Sequence, residues 1–257
     1  MASAHPTMKT MQARLAILAS AAALFALVSG CASTPSASPK AGPPWSGETF
    51  LPNYSELKPV GQDWVFHVPD VDTAMAGLTT VMVDQPEVFI SPHSPYTGAK
   101  PADLTTIAEF ARTTFEARIT AHGYKIVNTK GPGVLYIRPA LTDLELKEKS
   151  RSILDYTPAT FVISSVYRAT EDLMKKMDIV DVAVQAQFLN GDTGKELGAG
   201  VIPRGGNGEQ MSFDQFKSLM EVWGDRIACR LDNGRVPQAQ RIDCTDAAAV
   251  KARPRIQ

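Results

Sequence analysis

Apolar positions recur at helical spacing in two long stretches. Leu104, Ile107, Ala108, Ala111, Phe115 and Ile119 fall on one stripe, which predicts an amphipathic helix with one face against a core. Pro101 suits its first residue and Gly123 a left-handed end. Phe216, Leu219, Met220, Trp223, Ile227 and Leu231 form a second stripe. Ser212 and Gln215 have the spacing of a reciprocal cap in front of it, and Asn233-Gly234 stops it. Elsewhere the period is two. Val180, Val182, Val184, Ala186 and Phe188 alternate with Asp181, Ala183, Gln185 and Gln187, which predicts a strand with one buried face. Asn190–Gly194 reads as a hairpin turn and Lys195–Ile202 as the returning strand.

Thr79–Ile90 is a β-rich run broken by Pro86, and Val134–Leu146 is a longer strand containing Pro139. Proline donates no ladder hydrogen bond, so both belong at edges, bulges or bends. Tyr124–Asn128 reads as a short strand, and Leu51–Leu57 as a short docked turn. Thr157–Met177 has two readings. Val162, Ser165, Val166, Ala169, Leu173 and Met177 share a helical stripe, but Phe161, Ile163 and Tyr167 lie off it, and ATFVISSVY also reads as a strand. Such an apolar stretch is either buried or meets a partner or a membrane surface. Together the elements predict a single α/β (α+β) domain with a mixed β-sheet and helices packed mainly on one face.

The N-terminal pattern is different. Lys9 and Arg14 precede a run from Leu15 to Val28 that is apolar apart from Ser20, and no acidic residue occurs before Glu48. This is the layout of a secretory signal peptide, too short for a comfortable bilayer span. Met8 or Met11 also reads as a start. The run ends in Val28-Ser29-Gly30-Cys31, which resembles a bacterial lipobox. That resemblance implies cleavage between Gly30 and Cys31 and acylation of the Cys31 thiol. Two or three acyl chains would hold the protein on a membrane, each buried methylene contributing ~0.8 kcal/mol. Ala32 rather than aspartate follows the cysteine, which by the same resemblance implies the inner leaflet of the outer membrane, facing the periplasm. Residues 31–48, rich in Ser, Pro and Ala, read as a flexible tether. The expected organisation is a signal peptide over 1–30, a tether over 31–48, a globular domain over 49–233 and a tail over 234–257.

Charge narrows the function. Residues 1–30 hold two of the 26 Lys and Arg and none of the 27 Asp and Glu, so the remaining 227 residues carry a formal charge of −3. A mildly acidic, mixed surface argues against a nucleic-acid partner, which needs a basic footprint.

Several strings then point to one family. LPNYSELKPV, VMVDQPEVFISPHSPYTG, PADL at a helix start and GPGVLYIRPALTDL occur in that order, followed by VDVAVQAQFLNGDTGKELGAGV and FKSLMEVWGDRI. Over roughly residues 50–232 the chain resembles the bacterial lipoprotein family catalogued as domain of unknown function 3313. The resemblance implies no activity and no catalytic residues, and the tail beyond Asn233 departs from the pattern.

Candidate chemistry is sparse. Cys229 lies roughly opposite Phe216 on its helix, and a bridge to Cys244 would staple the tail Arg235–Asp243 onto that helix. The alternative is two free thiols or a disordered tail. Residues 247–257 read as a frayed, basic end. His5 falls in the signal, and His67 has no obvious partner. His122 falls in the last helical turn, where a cation suits the dipole. His93 lies in a proline-rich loop not far in sequence from Asp84 and Glu87, a combination suited to a general base. Tyr54 and Asp143 read as surface or structural groups. No metal-site spacing, nucleophile elbow or phosphate loop is present. Gly205-Gly206-Asn207-Gly208 lacks the lysine and hydroxyl that handle nucleotide phosphates. The expectation is therefore an envelope lipoprotein with no cofactor, held to the membrane through Cys31, acting as a binding or assembly module with an envelope protein partner. The alternative is a hydrolase built around His93.

Overall fold

The computed structural model describes residues 50–148, 166–203, 205 and 208–253. Eight strands form one sheet in the order β1-β2-β8-β7-β6-β3-β5, with β4 also pairing β6. The strands are β1 (Lys58–Val60), β2 (Asp63–His67), β3 (Thr80–Val83), β4 (Glu87–Ile90), β5 (Lys125–Ile126), β6 (Val134–Glu148), β7 (Met177–Asn190) and β8 (Glu196–Ile202). From β1 through β2, β8 and β7 to β6, each successive pair is antiparallel. β3 and β4 run parallel to β6, and β5 parallel to β3. The expected mixed α/β architecture is present.

Pro139 is neither at an edge nor at a bend. It sits inside β6, a central strand, opposite Ala186 of β7. On its other side β3 pairs only as far as Ile137, and β4 begins at Ala140. Pro139 therefore falls where the neighbouring strand changes, and no partner there needs its missing N–H. Pro86 lies in the matching break between β3 and β4. A bulge further along β6 carries Asp143, buried and with φ +53°, in a left-handed conformation that aspartate tolerates better than bulkier residues.

The helices are α1 (Val71–Ala76), α2 (Pro101–Ala121), α3 (Val166–Met174), α4 (Phe213–Asn233) and α5 (Ala247–Ala252). α2 opens at Pro101, with Asp103 accepting the Lys100 N–H at 2.9 Å, and is followed by Gly123 at φ +96°. α4 carries the expected reciprocal cap: Gln215 N–H donates to Ser212 Oγ at 3.2 Å, and Ser212 N–H donates to Gln215 Oε1 at 2.7 Å. Their apolar stripes pack with Val81, Ile137, Leu141, Val182 and Val184 in one core. Phe110 lies off the expected α2 stripe yet is fully buried, because α3 and α4 flank that side. Its ring meets Tyr167 edge-on at 5.2 Å and stacks on Phe216 at 5.6 Å. Gly224 lets α4 close on α2, since a Cβ there would stand 2.8 Å from Arg118 Cγ.

The opposite sheet face is also covered, which corrects the expectation for β7. Phe50, Leu51 and Leu57 pack with Ala140, Ala199 and Val201, alongside Tyr54, Trp64, Phe66 and Phe89. The Tyr54 hydroxyl donates to Gln185 Oε1 at 2.8 Å, and Gln185 Nε2 donates to Thr142 Oγ1 at 3.2 Å. The polar alternation of β7 is thus a hydrogen-bonded inner layer; Gln185 is completely buried. Val166–Met174 is helical and Met177 already belongs to β7. Residues 157–165 of the doubtful stretch, Phe161 among them, lie outside the described residues.

Candidate functional site

The carboxyl end of α2, the second half of α4 and the C-terminal tail enclose a cleft of about 420 Å³. α2 contributes Arg118 and, at its carboxyl cap, His122, one helical turn further on the same side. α4 contributes Asp225, Arg226 and Asp232, again at helical spacing. The tail supplies the third wall with Cys244, Thr245, Ala247, Val250, Lys251 and Arg253.

As far as Arg253 that tail is folded, contrary to the expectation of a frayed end over 247–257. Asp246 caps α5 by accepting from Ala248 N–H at 2.9 Å and Ala249 N–H at 3.2 Å. Arg253 donates to Asn233 Oδ1 at 2.8 Å and to the Cys229 carbonyl. Asn233 in turn donates to the Ile242 carbonyl at 2.8 Å. Cys229 and Cys244 are bonded through their sulfurs at 2.05 Å, across a separation of 15 residues. Cys229 does lie off the stripe that faces the sheet, yet it is fully buried, because the tail covers the outer side of α4. Residues 254–257 lie outside the described residues.

Within the cleft the charges are tightly paired. Arg118 donates to both oxygens of Asp225, at 2.7 and 2.8 Å. His122 Nδ1 donates to Asp232 Oδ2 at 2.8 Å, and its Nε2 stands 3.7 Å from Asp225 Oδ1. The Tyr124 hydroxyl donates to the other Asp232 oxygen at 2.8 Å. Asp225 and Asp232 together push the His122 pKa up to about 9, against the opposing effect of burial. Burial pushes the Asp225 carboxyl up, but hydrogen bonds from His122 and Arg118 outweigh it and hold the group below the usual carboxylate range. Burial, then the Asp232 charge, raises Tyr124. His122 is consequently a cation at neutral pH and a poor proton acceptor there. The one hydroxyl among the lining residues, on Thr245, donates to Asp243 Oδ1 at 2.8 Å. The arrangement is suited to holding charge rather than to moving protons. Behind it, Asp63 is almost wholly buried and pairs with Arg226 at 3.1 Å and with Arg230.

The histidine–carboxylate arrangement expected around His93 does not assemble. His93 is exposed, and its backbone N–H donates to Ser91 Oγ at 3.2 Å. Asp84 accepts instead from the Tyr136 hydroxyl, and Glu87 from Arg138 at 2.8 Å. Burial and Asp84 push the Tyr136 pKa up to about 12. Sequence proximity misled because the chain is extended there: Glu87 stands opposite Ala140 of β6, whereas Ser91, at the start of the loop, already bonds the Leu144 carbonyl further along it. His67 is exposed beside its neighbour's carbonyl. Gly30 and Cys31 lie outside the described residues. Among the described residues, no three His, Cys, Asp or Glu gather as a metal site, and no helix is long and apolar enough to cross a membrane. Asp225 and Asp232 had been missed: they lie more than 100 positions from their α2 partners, and only the acids' helical spacing on α4 hinted at a shared face.

A mixed sheet with a helical layer on one face and a stapled tail defines an α/β domain with a charged cleft. The chain belongs to the family described as "Protein of unknown function (DUF3313)", which matches residues 47–227. The tail wall of the cleft and both bridged cysteines lie beyond the matched residues. No curated protein matches this chain. Among solved structures it is similar to the PelC dodecamer from Paraburkholderia phytofirmans at 11% identity, covering 57% of this chain and 86% of that one, with a TM-score of 0.29. At that TM-score the likeness carries no functional argument.

Proposed function

We propose that this is an exported, lipid-anchored envelope protein whose folded part serves as a binding or assembly module. The observation that carries the reading is the apolar run Leu15–Val28 ending in Val28-Ser29-Gly30-Cys31. Acyl chains on Cys31 anchor the protein in the inner leaflet of the outer membrane, and residues 31–48 let the domain range into the periplasm. The buried Cys229–Cys244 bridge supports export independently, since disulfides persist in oxidising compartments. Labelling of cells with a palmitate analogue tests the anchor. Wild type incorporates label and fractionates with outer membrane, and Cys31→Ala does neither. Label retained by Cys31→Ala would overturn the anchor. Crosslinking in intact cells tests the module: a specific envelope protein is captured by wild type and weakened by Cys31→Ala. A cleanly anchored protein that captures nothing at any crosslinker length would remove the assembly role.

A further inference from the structure

The chain carries a formal charge of −1 overall, yet the cleft gathers Arg118, Arg226, Lys251 and Arg253 against only Asp225 and Asp232. Both acids are already engaged, Asp225 by Arg118 and Asp232 by Tyr124 and His122. Arg226 turns one nitrogen to Asp63, and Arg253 turns one to Asn233 and the Cys229 carbonyl. Lys251 has no ion pair among the described residues. His122 adds a further positive charge at neutral pH. Donors therefore remain on three separate walls. Like charges focused in a cleft raise the local concentration of anions. The apolar surface between them comes from Ala121, Val222, Ala247 and Val250.

We propose that this cleft binds a phosphomonoester, its phosphate held by Arg118, Arg226, Lys251 and Arg253 and its organic part lying on the apolar wall. A multivalent, tetrahedral anion can meet donors arriving from α2, α4 and α5 at once, and guanidinium groups match phosphate oxygens in pairs. A volume of about 420 Å³ exceeds the needs of a bare ion and falls within the ~300–1,000 Å³ of small-molecule sites. The phosphate is either that of a lipid headgroup or that of a free organic phosphate. The inference rests on the binding-module reading and names its ligand class, but the cleft does not require the anchor.

The test is isothermal titration of the full, unreduced chain in a neutral detergent. The probes are glycerol 3-phosphate and dihexanoyl phosphatidic acid, with dihexanoyl phosphatidylcholine as the zwitterionic control. The expected result is saturable binding of a phosphomonoester and none of the control. Lys251→Glu, an exposed change on α5 that leaves every described ion pair intact, weakens binding about tenfold or more. Lys217→Glu, on α4 but outside the cleft, leaves it unchanged. Raising salt to about 0.5 M weakens binding strongly. Reduction of the bridge also abolishes binding, because it frees the tail wall. Binding of both phosphate probes identifies the free-phosphate chemistry as sufficient, whereas binding of phosphatidic acid alone identifies a lipid. Absence of binding to either, or binding indifferent to Lys251→Glu, overturns the proposal. That failure is separable from failure of the anchor, which the palmitate label reads independently.

Discussion

Replacing His122 should change how stability depends on pH, not only how large it is. Its pKa rises from an ordinary 6.5 to about 9, so the folded state holds the proton more tightly than the unfolded chain. The resulting stabilisation is fully present below pH 6.5 and is lost as pH rises through 9. Taken whole, that difference corresponds to about 3 kcal/mol. The His122 side chain is 16% exposed, but Asp225 is 24% and Arg118 38% exposed where the cluster opens on the cleft. Solvent screening there reduces the contribution to about 1–2 kcal/mol. His122→Gln keeps a polar group of similar reach and removes the charge. Urea unfolding of the unreduced protein at pH 6, 8 and 10 should show wild type leading the variant by about 1–2 kcal/mol at pH 6 and by much less at pH 10. Exposed His67→Gln, outside the cluster, is the control. The proton spectrum of His122 should titrate near pH 9. A midpoint near 6.5, or a gap between wild type and His122→Gln that stays constant from pH 6 to 10, would refute the reasoning.

Three further outcomes follow from the packing. Asp63→Asn removes the negative charge that Arg226 and Arg230 share in a buried position; it should lower stability by about 3 kcal/mol, read as a shift in urea midpoint with unchanged slope. Gly224→Val forces the α2–α4 contact apart at Arg118 and should cost about 1–3 kcal/mol. Its NMR signature would be displacement of the Arg118 and Asp225 resonances. Cys229→Ser with Cys244→Ser removes a cross-link spanning 15 residues, a loss of about 3 kcal/mol on the chain-entropy account. Amide exchange should then speed up over 242–253 first, while β6 and β7 stay protected.

Local signals were the legible ones. The Ser212–Gln215 cap, Pro101 and Gly123 around α2, and the Asn190–Gly194 hairpin each depend on neighbours within a few positions, so the chain displays them directly. Residues 58–78 were not legible. β1 is the three-residue stretch Lys58–Val60, exposed throughout and containing Pro59; it has no alternation to detect and becomes a strand only because β2 pairs with it. Period-two reasoning gave β7 one inner face, but it could not see that Phe50–Leu57 folds back over the other. The cleft was hidden for the same reason. His122 was readable as a helix-end cation, yet its partners arrive from α4, 103 to 110 positions later. Proline rules failed at Pro139 because they assume one continuous neighbour per side, and β6 has two in succession.

The docked segment Phe50–Leu57 also determines how the domain yields to tension. A pull along the chain from residue 49 first meets Phe50 and Leu51, then the Leu51 N–H to Tyr54 Oη contact at 3.3 Å and the Tyr54–Gln185 bond. These contacts lie in series and give way one after another. The β2–β8 ladder behind them pairs four residues and loads them together. The segment therefore peels before any strand shears, letting out roughly 28 Å of slack at about 3.5 Å per residue. Peeling bares Ala140, Ala199 and Val201 on the back of the sheet and leaves the helical layer and its cleft undisturbed. The domain thus has a built-in mechanical fuse on the side opposite its charged site.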